Sequence, residues 1–132
     1  MIQPPWDPAE KVAAAARAAA RHRFETQVKP RITAVTVAEH RADPFGRHSV
    51  DLEIVLRYLG RDLTTQRPRY VLVSETPYSP SRIAENPRVP GAPIALTDEC
   101  YASEEEAQHA IFVRRLRDLG DPDVDHVLAQ VA

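Results

Sequence analysis

The sequence predicts an α+β fold, with an antiparallel sheet of three or four strands and an N-terminal and a C-terminal helix packed on one face. Three observations support this prediction: an alanine-rich segment with capping residues near the start, alternation of apolar and polar residues in the middle, and an amphipathic helical pattern near the end. The expected order is α-β-β-β-(β)-α-α in a single domain over residues 1–132, with a proline-rich connection at 76–93.

The first predicted helix runs from about Pro8 to about Glu25. Asp7 is a suitable N-cap, proline is favoured at the first helical position, and alanine has the highest intrinsic helix propensity. One side carries Val12 and small alanines, against which another surface could pack closely, and the other carries Arg17, Arg21 and Arg23. Charged side chains are normally solvated, so this arginine face is interpreted either as an ordinary exposed surface or as a site for a phosphate or a partner.

A β-hairpin is predicted between residues 31 and 60. Apolar residues occupy every second position of its second strand, which is typical of a strand with one buried face. These positions are Val50, Leu52, Ile54, Leu56 and Tyr58. Pairing Val37 with Leu52 and Val35 with Ile54 places the valines on the same buried face, whereas a slip of one residue would set them opposite charged residues.

Further strands and helices follow the hairpin. A third strand is expected at about Arg69 to Glu75, and residues 93–101 could add a fourth. Ser103 begins a second long helix with a capping-box spacing, and a short last helix follows Pro122. Their apolar residues recur at helical spacing, which predicts that both helices pack on the sheet.

The proline-rich connection at 76–93 has two open interpretations. It is either a surface crossover, which proline stiffens, or an arm that binds a partner, because long connections without secondary structure are often functional. Its side chains suit contacts better than a glycine–serine tether does. The predicted partner-binding residues, including two from the first helix, are Tyr78, Arg82, Ile83, Arg88, Val89, Arg17 and Arg21.

Residues able to do acid–base chemistry support an alternative hypothesis, a small enzyme or small-molecule binder. His40, Asp51 and Glu53 would share the exposed face of the predicted hairpin. The same register sends His40 and His48 to opposite sides of the sheet, so no metal site is expected there, since metal ligands must converge. Cys100, the single cysteine, is expected to be a buried thiol.

Composition limits the remaining functions. A formal net charge of −2 argues against a protein that binds nucleic acid through bulk charge, although binding through the first helix stays a third hypothesis. We find no signal peptide or membrane-spanning run and expect a cytoplasmic protein that needs no cofactor. The favoured function is a non-enzymatic protein-binding or assembly protein of bacterial or phage origin, associating with another protein or with itself.

The opening helix and the predicted hairpin, joined by "KPRI", resemble small tail and baseplate subunits of phages and contractile injection machines. The resemblance covers about 45 residues and rests on the order of elements rather than on a specific motif. It implies a structural role in an assembly.

Overall fold

The structure, a computed structural model, describes residues 7–60, 69–74, 80–87 and 89–131. This part of the chain has the expected α+β architecture, with five α-helices and a three-stranded antiparallel sheet. The helices are α1 (Pro8–Arg23), α2 (Ala34–Ala42), α3 (Val50–Gly60), α4 (Glu104–Asp118) and α5 (Pro122–Val131). The strands are β1 (Arg69–Val73), β2 (Ser81–Asn86) and β3 (Ala95–Tyr101).

Helix α1 begins as predicted. The Asp7 carboxylate accepts a hydrogen bond of 3.0 Å from the backbone N–H of Ala9, which satisfies one of the free donors at the helix start. Beyond Arg23 the helical path continues through a π-helical turn, Phe24–Val28, and a 3-10 turn, Lys29–Arg31. Only this continuation enters the protein body, where Val28 is buried.

The predicted hairpin between residues 31 and 60 is wrong, because this segment forms α2 and α3. Thr33 and Thr36 form a capping box at the start of α2, a local signal that outweighs the β-propensity of the valines and threonines. In α3 the fully buried residues are Leu52 and Val55, three positions apart as on a helix face. Over residues 50–59 the apolar residues fit both the alternation of a strand and the spacing of a helix face, and packing of the face that carries Leu52 and Val55 selects the helix.

The sheet has the order β1-β2-β3, with each neighbouring pair antiparallel. Strand β1 confirms the strand predicted at about Arg69 to Glu75, and β3 confirms the possible strand at residues 93–101. The central strand β2 lies inside the proline-rich segment, so the interpretation of 76–93 as a connection without secondary structure is wrong. Proline is excluded only from hydrogen-bonded strand positions, and the six residues of β2 contain none.

Helix α4 joins two groups of buried residues. On one side Ile111 packs with Tyr70 of β1 and Ile83 of β2. On the other side Phe112 and Leu116 pack into a larger core formed by helical segments. The remaining buried members of that core are Val28, Ile32, Val37, Leu52, Val55, Val124 and Leu128. The predicted apolar faces of the last two helices are therefore confirmed, although they pack mainly against helices rather than against a sheet.

Candidate functional site

Helix α1 has an unusual position for an amphipathic helix. None of its 16 residues, all of which the structure describes, is buried, and 71% of Val12 is exposed. At 100° per residue, Val12, Ala16, Ala19 and Ala20 share one side, which we call the α1 surface. Most helices in proteins are stabilised by packing of such a face, so the α1 surface is suited to contact with another molecule.

The arginines predicted to bind a partner lie on the remaining circumference of α1. Arg17 is exposed and forms an ion pair of 2.6 Å with Glu10. Arg21 is also exposed, in the last turn of the helix, where a cation interacts favourably with the helix dipole. Both guanidinium groups are accessible to a partner, although the one on Arg17 would exchange Glu10 for it.

The partner-binding residues predicted in 76–93 are not one exposed set. Ile83 is fully buried in the core, so the expectation that it contacts a partner conflicts with its place in the folded chain. Arg82 is half-buried, and its Nε donates to Cys100 Sγ at 3.3 Å. Val89 is exposed, as expected of a contact residue. Tyr78 and Arg88 lie outside the described residues.

The His40, Asp51 and Glu53 constellation does not form, because the hairpin face that would gather it is absent. His40 lies on α2 and is only 1% exposed. Asp51 lies in the first turn of α3, where it forms an ion pair with Arg31, and Glu53 is exposed on the same helix. The geometric basis of the small-enzyme hypothesis is therefore removed.

His40 instead takes part in a cluster of aromatic rings between α2 and α4. Its Nδ1 lies 2.9 Å from Nδ1 of His109, and its ring stacks on Phe112 with the centroids 4.1 Å apart. The ring of His48 also stacks on that of His40, with the centroids 6.0 Å apart, which corrects the expectation that His40 and His48 leave opposite sides of a sheet. Nδ1 of His48 is buried without a hydrogen-bond partner among the described residues.

Burial controls the protonation of this cluster. It lowers the pKa of His40 to about 4, with smaller contributions from the positive charges of His109 and His48. The pKa of His109 is also lowered by burial, followed by the charge of Arg41. Within the described ranges, no group of three or more His, Cys, Asp or Glu side chains is arranged to hold a metal ion.

The sequence did not point to the pairing of His40 with His109, since 69 residues separate them and no local pattern links them. Cys100 lies beside Arg82, whose Nε donates to the Cys100 sulfur. Its thiol is exposed, contrary to the expectation of burial, because Cys100 alternates with Glu99 and Tyr101 and so points away from α4, which Glu99 contacts.

A polar network between α4 and the sheet was not predicted either. Arg114 lies between two carboxylates, donating to Glu85 at 3.1 Å and also to Glu99. Its hydrogen bond to Glu99 is the main cause that lowers the pKa of that carboxyl. The Tyr70 hydroxyl donates to Asp118 at 2.6 Å. Burial first, and then this hydrogen bond, raises the pKa of Tyr70 to about 12. The network holds α4 on all three strands.

Within the described ranges, none of the helices has both the length and the apolar character that crossing a bilayer requires.

Comparison with known proteins places these features in a family. The model of the N,N-dimethylformamidase alpha subunit family matches residues 15–126, which is most of the chain. The N,N-dimethylformamidase alpha subunit of Paracoccus aminophilus is 36% identical over 86 residues, covering 63% of this chain and 59% of that protein. The subunit of the same name from Alcaligenes sp. is 40% identical over 86 residues, covering 63% of each chain.

The matched region thus spans about three fifths of the length of these two relatives, at 59% and 63%. Both are bacterial proteins named as subunits, which agrees with the expectation of a bacterial protein in an assembly. The resemblance to phage tail and baseplate subunits loses its basis, since the hairpin on which it rested is two helices. This chain belongs to the N,N-dimethylformamidase alpha subunit family.

Proposed function

We propose that this chain is a non-catalytic subunit of a multi-subunit dimethylformamidase and that it binds another subunit through the α1 surface and its flanking arginines. The relatives are named alpha subunits, and that name implies at least one further kind of subunit. The observation that supports the proposal most strongly is a helix of 16 residues with none of them buried.

The physical argument starts from helix stability. A helix of 16 residues is only slightly longer than the roughly 12 to 15 residues below which even alanine-rich helices are marginal in water, and in proteins most helical stability comes from packing of an apolar face. The α1 surface has no such packing within the described residues. Binding to a partner would bury this face and complete the helix, and its alanines would allow close approach of the partner's backbone.

Charge indicates the kind of partner. The segment Pro8–Arg23 contains four basic residues and one acidic residue, a formal charge of +3, so the rest of the chain carries −5 of the total of −2. Oppositely charged surfaces steer association and set its orientation. The proposed partner therefore presents an apolar groove with an acidic rim to α1.

A second contact region is proposed at the end of the proline-rich segment. Val89, Ile94 and Leu96 are 60%, 54% and 53% exposed, although large aliphatic side chains are usually buried. Of these three, Val89 was predicted from the sequence to contact a partner, and Ile94 and Leu96 are added to the proposal because they are exposed. Ile83 instead belongs to the core.

The experiment compares two double substitutions on opposite sides of α1. Ala16→Glu with Ala20→Glu places two carboxylates on the α1 surface. Ala15→Glu with Ala18→Glu places the same groups about 150° away on average, and about 110° away from Arg17 and Arg21. Each variant carries an affinity tag and is produced in place of the unmodified chain in the cells that make the assembly. The readouts are the mass of the purified assembly, from light scattering, and the hydrolysis of N,N-dimethylformamide by that assembly.

We expect the first variant to elute as the free chain without activity and the second to behave as the unmodified chain. Thermal unfolding of both isolated variants should change little, because all four alanines are exposed. Equal behaviour of the two variants in assembly would refute the role of the α1 surface. Hydrolysis by the isolated chain alone would refute the non-catalytic role.

A further inference from the structure

We propose that His40 and His109 form a proton-operated clasp between α2 and α4, which is closed while the two facing nitrogens share one proton and opens when both carry one. The proposal concerns a cluster that the proposed subunit contact does not use. It rests on the 2.9 Å separation between the two Nδ1 atoms and on the burial of His40.

The chemistry of imidazole limits the states of this pair. A hydrogen bond between two ring nitrogens needs one N–H donor and one free lone pair. One ring must therefore be protonated at Nδ1, while the other is protonated at Nε2 and accepts at Nδ1. A further proton on Nε2 of the donor ring leaves this bond intact, but a proton on the accepting Nδ1 places two N–H groups against each other.

The surroundings make the doubly charged state costly. The ring of His40 stacks with those of Phe112 and His48, and the charges that act on it are those of His109 and His48, both positive when protonated. Arg41, which follows His40 on α2, adds a positive charge that acts on His109. No negative group is among the influences on either ring's pKa.

Carboxylates of the elements around the cluster either have other partners or are exposed. Glu105 and Glu106, one turn before His109 on α4, are exposed and are not among the groups that shift its pKa. On α2, Glu39 accepts hydrogen bonds from the backbone N–H and the hydroxyl of Ser49. The pairs from the neighbouring elements are Asp51 of α3 with Arg31, Asp121 and Asp123 near the start of α5 with Lys29, and Glu85 and Glu99 of the sheet with Arg114. On α5, His126 lies 3.2 Å from the amide of Gln130. Charge on the pair would therefore gain little compensation.

The direction of the pH effect follows from this. The unfolded chain binds protons on both histidines near pH 6.5, whereas the folded chain resists them, and the pKa of His40 is about 4. The stability that requires an uncharged His40 is complete above pH 6.5 and is lost as the pH falls towards 4. For His40 alone, the unfolding equilibrium constant should rise roughly 70-fold between pH 7.5 and pH 4.5.

The direct test is nitrogen NMR of the intact, unmodified chain labelled in its histidine rings. At pH 7.5 we expect one of the two rings to carry its proton on Nδ1 and the other on Nε2, with a coupling across the hydrogen bond between the two Nδ1 nuclei. The exposed rings of His22 and His126 supply reference signals in the same spectra. Two Nε2-protonated rings without that coupling would overturn the proposal.

A stability measurement gives a second, independent readout. Urea unfolding at pH 7.5 and pH 4.5 is compared between the unmodified chain, His40→Gln with His109→Gln, and the matched surface control His22→Gln with His126→Gln. We expect the roughly 70-fold pH effect to disappear in the first variant and to persist in the control. A pH effect of equal size in both variants would overturn the proposal. If the first variant fails to fold, the NMR result decides.

Discussion

Leu116 offers a direct test of how the two halves of the structure are held together. Its side chain is 0% exposed and lies in the larger core, on the helix that also covers the sheet. Replacing a buried leucine with alanine removes apolar contacts and leaves a cavity, which in comparable sites lowers the free energy of unfolding by roughly 2 to 5 kcal/mol. Because the site is fully enclosed, we expect Leu116→Ala to lower the free energy of unfolding by about 3 to 4 kcal/mol.

The matched control is Leu96→Ala, which removes the same atoms from a side chain that is 53% exposed on β3. This substitution should change the free energy of unfolding by less than about 0.5 kcal/mol. In a thermal scan of a chain this size, Leu116→Ala should lower the melting temperature by about 10 to 15 °C and Leu96→Ala by at most about 2 °C. Similar losses for the two variants, or a loss under about 1 kcal/mol for Leu116→Ala, would show that the assigned core is incorrect.

Two further predictions concern charge and protonation. Reversing charge with Arg17→Glu and Arg21→Glu should weaken association with the partner subunit at least tenfold, about 1.4 kcal/mol, and flatten the salt dependence of that association. Titration calorimetry of the assembly at two salt concentrations measures both effects. Unchanged affinity would exclude the two arginines from the contact. Tyr70 should ionise near pH 12 in a spectrophotometric titration. Because the pKa of Tyr70 is raised on folding, its contribution to the stability of the fold should be present below pH 10 and lost as the pH rises through 12. Tyr70→Phe should remove that late step and cost about 1 kcal/mol through the lost hydrogen bond to Asp118, while a titration with no late step in the unmodified chain would contradict the contact.

The failures of sequence reasoning have specific causes. Residues 50–59 satisfy the period of a strand and the period of a helix at once, and the alternation is the more conspicuous of the two. The deciding local signals were weaker: the Thr33–Thr36 capping box, and the Ser49 hydroxyl that accepts from the backbone N–H of Leu52 at 3.2 Å. Strand β2 was missed because prolines surround a six-residue stretch that itself contains none.

The candidate sites were also unequally predictable. The exposed face of α1 could be recognised, because small residues and arginines recur at helical spacing within one segment. The sequence could not predict that α1 lies outside the core, since the burial of a helix depends on how every other element packs.

By itself, the sequence determined the α+β class, the starts of α1 and α4, and the apolar faces of α4 and α5. These depend on capping residues and periodicities that act within a few residues of each other. Only the tertiary structure decided which of its two periods the segment 50–59 follows, that β2 is the central strand, and that His40 meets His109. Each of these depends on contacts between residues far apart in the chain, whose free energy appears only when the whole core is assembled.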